Sequence, residues 1–173
     1  MNLIDTMNWL GRRKRLRPIG ALFHWVATRL PFSTLTRMAG RRLVGASAGA
    51  PAVILTQLSM EDALKDPELL YQAICFTVEE MGLDRFVLIA DMSLEAEACG
   101  CRLQFSELNL PMVVSHPLQD SGDPGTLRVP DPHQDGRMPV FLETMKRLER
   151  NYTLLKIAVV TAPFTLAPPL RGT

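Results

Sequence analysis

The sequence predicts an α/β protein built on a parallel sheet, and three observations carry that reading. Arg85-Phe86-Val87-Leu88-Ile89-Ala90-Asp91 is a run of large apolar and β-branched residues closed by a carboxylate. That is the pattern of a strand covered on both faces. Ahead of it, Asp66-Pro67-Glu68 opens a helical pattern that Gly82 closes. Further on, Lys156-Ile157-Ala158-Val159-Val160-Thr161 repeats the buried-strand pattern after another helical segment. Strands alternating with helices are the signature of βα units. In such sheets ligands collect at the carboxyl ends of the strands, where Asp91 stands.

The elements follow in order. Residues 1–45 read as a basic N-terminal helical arm, with nine Arg and Lys (Arg12, Arg13, Lys14, Arg15, Arg17, Arg29, Arg37, Arg41, Arg42) against Asp5 alone. That is a charge of +8; since the whole chain carries +1, the remainder carries −7. Trp9, Phe23, Trp25 and Phe32 lie between these charges, so the arm reads first as an amphipathic helix packed on the body. Contact with anionic lipid or nucleic acid is the second reading. Residues 46–173 form the body. Pro51-Ala-Val-Ile-Leu-Thr56 is the candidate first inner strand. Ser59 before Met60-Glu61-Asp62 is an N-cap with acids in the first turn. Asp66, with proline after it, caps a helix carrying Leu69, Leu70, Ala73, Ile74, Thr77, Val78 and Met81 at helical spacing.

After Asp91, Ser93 is placed to cap a short helix with Glu95 and Glu97, stopped by Gly100. Cys101–Phe105 and Met112–Val114 read as a small hairpin beside the main sheet. Residues 115–139 are a long connection rich in Pro, Gly and Asp, a length that usually signals function or close packing. Pro139 opens a helix with Val140, Leu142, Met145 and Leu148 inward and basic residues toward its end.

Composition, 47% hydrophobic and 21% charged, is that of a globular protein. The stretch from Arg12 to Thr28 imitates a signal peptide, but His24, Arg29 and further arginines precede any small-residue cleavage site. No stretch approaches the roughly 20 apolar residues of a membrane span. Three cysteines without secretory context predict reduced thiols and a cytoplasmic protein.

Several segments, in order, resemble the uroporphyrinogen decarboxylase superfamily, which also holds the cobamide-dependent methyltransferases. They are Asp66-Pro67-Glu68-Leu69, Gly82-Leu83-Asp84, the strand to Asp91, Arg128-Val129-Pro130-Asp131-Pro132, Asp135-Gly136-Arg137-Met138-Pro139-Val140 and Ala162-Pro163-Phe164-Thr165-Leu166-Ala167. The resemblance runs from about Ser59 to Thr173. It implies a partial (β/α)8 TIM barrel, the N-terminal half only, over residues 46–173, with the hairpin as an insertion. It implies a tetrapyrrole ligand and decarboxylation of acetate side chains without metal or organic cofactor. Asp91 matches the aspartate that accepts hydrogen bonds from pyrrole N–H groups and stabilises the cationic ring. Arg37-Met38-Ala39-Gly40-Arg41-Arg42-Leu43 resembles an arginine loop that binds substrate carboxylates, so Arg37 and Arg41 are candidate clamps. Thr165 and Glu95 complete the substrate-binding candidates.

Two departures point the other way. Pro169 stands where the decarboxylase has a tyrosine, and Glu95-Ala-Glu97-Ala-Cys99-Gly-Cys101 looks more like the methyltransferase branch. That branch implies transfer of a methyl group from a corrinoid to a thiol, with zinc and cobamide as cofactors and zinc ligands outside this chain. A third reading is a non-catalytic half-barrel, a remnant or a subunit whose partner is a C-terminal half-barrel or a second copy. No nucleic-acid partner and no membrane span are expected.

The rival readings of single residues are structural. Asp91 equally suits capping the next helix through Leu94 N–H. Cys99, Cys101, His116 and His133 lack zinc-site spacing and read as core thiols and loop residues, so no metal site is expected. Glu95 and Glu97, two apart on a helix, point in different directions.

Overall fold

The computed structural model describes residues 29–47, 49–88, 91–151 and 155–172, with isolated positions before residue 29. Its elements are α1 (Phe32–Ala39), β1 (Gly45–Ser47), α2 (Gly49–Thr56), α3 (Met60–Lys65), α4 (Pro67–Glu80), β2 (Arg85–Val87) and α5 (Leu94–Ala98). Then come β3 (Arg102–Gln104), β4 (Met112–Ser115), a 3-10 turn (Pro124–Thr126), α6 (Met138–Asn151), β5 (Leu155–Ile157) and α7 (Pro163–Arg171).

Three strands form a parallel sheet in the order β1-β2-β5. Ala46 and Lys156 flank Phe86 in register. Phe86 is fully buried, and with Leu88 it meets Val53 of α2, Met60 and Leu64 of α3, Leu70 and Ile74 of α4, and Phe141 and Leu148 of α6. The helices thus cover one face of the sheet. Arg85 and Val87, pointing to the other face, are only half-buried. The expectation of a strand covered on both faces is corrected accordingly. Alternation along a strand sends neighbouring side chains to opposite faces, and among the described residues one face has the helical layer. The stretch Ile89-Ala90 lies outside the described residues.

The local signals around α3 and α4 hold. Ser59 Oγ accepts Asp62 N–H, and Asp66 Oδ1 accepts Glu68 N–H at 2.7 Å and Leu69 N–H at 3.2 Å. Gly82, at φ +58°, takes the left-handed position that ends α4. Thr144 Oγ1 donates to Val140 O at 2.8 Å within α6 and lies 3.3 Å from Pro67 O, and Arg147 pairs with Glu68, so α6 is tied to the start of α4.

Three other expectations change. The run 51–56 is helical, and the first strand lies earlier, at Gly45–Ser47. A short apolar run suits either state by periodicity, but Pro51 has no donor for a central strand and costs nothing in a helix's first turn. As a helix the segment buries Gly49, Ala52 and Val53 on one face. The inner face of α6 is set by Phe141, Thr144 and Leu148, with Val140 and Met145 flanking it and Leu142 half-buried. A threonine can face inward there because its hydroxyl is satisfied by its own helix. Finally, β5 ends at Ile157, leaving Val159 and Val160 47% and 76% exposed, because among the described residues nothing pairs with its outer edge.

The expected hairpin forms: β3 and β4 pair antiparallel, Leu103 opposite Val113. With α5 and α7 it encloses a second small core of Ala96, Cys101, Leu118 and Leu170. The proline-bearing segment 163–171, for which no element was expected, is the helix α7.

Candidate active site at the carboxyl end of the sheet

Asp91 stands between β2 and α5, three residues ahead of Leu94, with Ile89 and Ala90 outside the described residues. Its backbone carbonyl, not its side chain, accepts Leu94 N–H. The carboxylate instead accepts two bonds from Ser93 at Oδ1, from the backbone N–H at 2.9 Å and from the hydroxyl at 2.6 Å. At Oδ2 it accepts Arg137 Nη1 at 2.7 Å. Arg137 Nη2 donates to Ser93 Oγ at 3.2 Å, which closes a ring of Asp91, Ser93 and the guanidinium. Arg137 Nε donates to Glu97 Oε2 at 2.7 Å, so one guanidinium joins two carboxylates. The Asp91 and Arg137 side chains are 1% and 5% exposed. An uncompensated charge so deep would be very costly, and this pair is matched in charge and in hydrogen bonds.

Local geometry delivers Arg137 to this place. Gly136 has φ +54°, and a Cβ there would stand 3.2 Å from Ala98 N. Only glycine lets the loop end press against α5 in that conformation. Before it, Asp135 accepts Asp131 N–H and Arg128 Nη2, which folds the loop on itself. The hydrogen bond from Arg128, then that from Asp131, holds the Asp135 carboxyl below its ordinary pKa.

Glu95 faces the neighbouring strand. Its two oxygens accept Thr161 N–H at 3.0 Å and Thr161 Oγ1 at 2.7 Å. The two glutamates of α5 therefore serve different partners: Glu95 the segment after β5, Glu97 the loop before α6.

The other candidates lie apart from this cluster. Arg41 forms a two-pronged bond with Asp84, 2.6 Å on each arm, at the amino end of β2. Asp84 also accepts Val44 N–H at 2.9 Å. Burial works to raise the Asp84 pKa, but the Arg41 and Val44 hydrogen bonds and the Arg41 charge outweigh it and hold it below the ordinary value. Arg37 is exposed at the end of α1, and Thr165 is exposed in the first turn of α7. The structure thus sets Asp91 in the segment that follows β2 and Glu95 against the segment that follows β5, and it sets Arg41 at the amino end of β2 instead.

Two of the thiols and histidines share one backbone partner. Cys101 Sγ donates to Pro169 O at 3.4 Å, and His116 Nδ1 lies 2.6 Å from the same oxygen. Among the described residues no group of three His, Cys, Asp or Glu is placed to hold a metal ion. Burial, and for Cys99 also the Glu95 charge, pushes both thiol pKa values up, so the thiols stay protonated at neutral pH.

Arg137 is the residue that reading the sequence for function passed over. A signal for it existed: it sits just ahead of the amino end of α6, where a cation opposes the helix dipole. An arginine there, next to a glycine, is offset by the carboxylates of Asp91 and Glu97.

Three parallel strands with helices on one face, and carboxylates gathered at the strand ends, define a portion of an α/β barrel. A solved methyltransferase from Methanosarcina mazei shares this fold, with a TM-score of 0.63 at 24% identity over 76% of this chain and 42% of that one. The family model described as uroporphyrinogen decarboxylase (URO-D) matches residues 28–173, and the chain belongs to that family. The match begins ahead of the Ser59 at which the resemblance was read. The chain is 30% identical over 136 residues to the uroporphyrinogen decarboxylase of Geobacter sulfurreducens, covering 77% of this chain and 37% of that protein. It is 31% identical over 151 residues to that of Syntrophotalea carbinolica, covering 86% and 41%. The chain therefore spans about two fifths of the length of these curated relatives. Among the described residues, no helix is long and apolar enough to cross a membrane.

Proposed function

We propose that this chain forms one wall of a tetrapyrrole site in a uroporphyrinogen decarboxylase-type protein, with Asp91 as the carboxylate facing the pyrrole nitrogens. The observation that carries the reading is the ionic ring of Asp91, Ser93 and Arg137, which fixes the orientation of the Asp91 carboxylate. A preorganised anion at the carboxyl end of a barrel strand is what a cationic ring requires while an acetate side chain loses carbon dioxide. The relatives at 30% and 31% identity, named as decarboxylases, support the same reading. Oδ2 accepts one bond within the ring and retains acceptor capacity for a second donor. Turnover then depends on further barrel strands beyond β5, in this polypeptide or in a partner, because the three-stranded sheet has open edges. Alone, this chain is expected to bind without turning over.

A second reading, methyl transfer from a corrinoid to a thiol, is favoured by the enclosure of Asp91, whose side chain is 1% exposed. In that reading Asp91 and Arg137 are framework, Glu95 stands near the reacting group, and zinc is held by residues outside this chain.

Anaerobic titration of the full chain with uroporphyrinogen and, separately, with methylcobalamin tests both. Uroporphyrinogen binding that is lost in Asp91→Asn at unchanged circular dichroism supports the first reading. Methylcobalamin binding that is indifferent to Asp91→Asn supports the second. Binding of neither ligand sinks both.

A further inference from the structure

The amino-terminal segment turns an apolar face to solvent. Ile19, Leu22, Trp25 and Val26 are helical, and they are 45%, 62%, 55% and 41% exposed. By the sequence spacing alone, at 100° per residue, positions 19, 22, 25 and 26 fall within about 120° of a helix circumference, a single stripe. Of the amphipathic arm expected from the sequence, α1 buries Leu35 and Ala39, these four side chains are exposed, and Trp9 and Phe23 lie outside the described residues. Arg29 closes the stripe: its guanidinium carbon sits 3.9 Å from the Trp25 ring centroid, and its Nη1 donates to Trp25 O at 3.0 Å. An indole with a stacked arginine beside aliphatic residues is the combination that sits at the boundary between lipid headgroups and acyl chains.

The charge agrees. Residues 1–29 hold six Arg and Lys against Asp5, and five of the six (Arg12, Arg13, Lys14, Arg15, Arg17) directly precede the stripe in sequence. The family match begins at residue 28, so Ile19, Leu22, Trp25 and Val26 precede it.

We propose that the face made by Ile19, Leu22, Trp25, Val26 and Arg29 lays this chain onto an anionic lipid surface. The apolar residues enter the interface, and the basic residues supply the attraction to lipid phosphates. Nucleic acid would use the same charges, but phosphate contacts leave four exposed apolar side chains without a role.

Co-sedimentation of the full chain with vesicles tests this, using phosphatidylcholine alone and with about one third phosphatidylglycerol. Partition onto the anionic vesicles is expected to exceed that onto neutral ones by about tenfold or more, and to fall as salt rises from about 0.1 to about 0.5 M. Leu22→Ser with Trp25→Ser should weaken it by about tenfold or more at unchanged circular dichroism. A second variant, with Arg12, Arg13, Arg15 and Arg17 changed to Gln, should abolish the lipid-charge dependence. Equal partition onto both vesicles, no partition, or tighter binding to a duplex oligonucleotide than to anionic vesicles would overturn the proposal.

Discussion

The two ends of β2 carry the same pair of residue types and use them differently. At the amino end Asp84 meets Arg41, whose side chain is 40% exposed, and the pair fastens the segment before β1 to the strand. At the carboxyl end Asp91 meets Arg137, 5% exposed, inside a closed ring that also engages Ser93 and Glu97. Solvent reaches only the arginine of the first pair, since the Asp84 side chain is 3% exposed, and it reaches neither member of the second. The contrast teaches that the exposure of the arginine, not of the aspartate, separates a pair that solvent screens from one sealed on both sides.

The largest effect is expected from breaking the buried end. Arg137→Met leaves Asp91 buried and Glu97 without this guanidinium, and should cost about 3–5 kcal/mol, seen as a shift in urea midpoint. Adding Asp91→Asn should recover a substantial part of that loss; a strictly additive double variant would contradict the coupling. Next comes the hinge that delivers the arginine. Gly136→Ala must hold φ +54° with its methyl 3.2 Å from Ala98 N, and should cost about 1–2 kcal/mol by thermal denaturation.

The smallest effect is expected at the amino end. Arg41→Met should cost under about 1 kcal/mol at neutral pH, discounted for the exposure of the arginine. It has a pH signature. The folded pKa of Asp84 lies below its ordinary 3.8, so the stability it contributes is fully present above that value and is lost as pH falls through the folded pKa. The wild type should therefore lose more melting temperature than Arg41→Met between about pH 4 and about pH 2. Equal losses would show that the clasp contributes nothing.

Legibility divides along the range of the interactions. The caps at Ser59 and Asp66, the stop at Gly82 and the β3–β4 hairpin could be read because each is made by residues a few positions apart. Asp91 was read at a strand end because the run before it is apolar; the strand itself closes at Val87, and Ile89 and Ala90 lie outside the described residues. The partner of Asp91 could not be read in the same way. Arg137 lies 46 positions on, at the end of a loop whose path the local pattern does not define. The pairing of Glu95 with Thr161 spans 66 positions and escaped for the same reason.

By itself the sequence determined the punctuation, the alternation of helix and strand, and a carboxylate waiting at the end of a strand. Local hydrogen bonds and burial periodicity act over a turn or two, and they survive being read one segment at a time. Only the tertiary structure decided that 49–56 is a helix and that 45–47 is the first strand. Only it decided that Asp91 is answered by Arg137 and not by the helix it precedes. Those outcomes turn on which faces are covered and which charges are buried together, and burial is a property of the assembled chain.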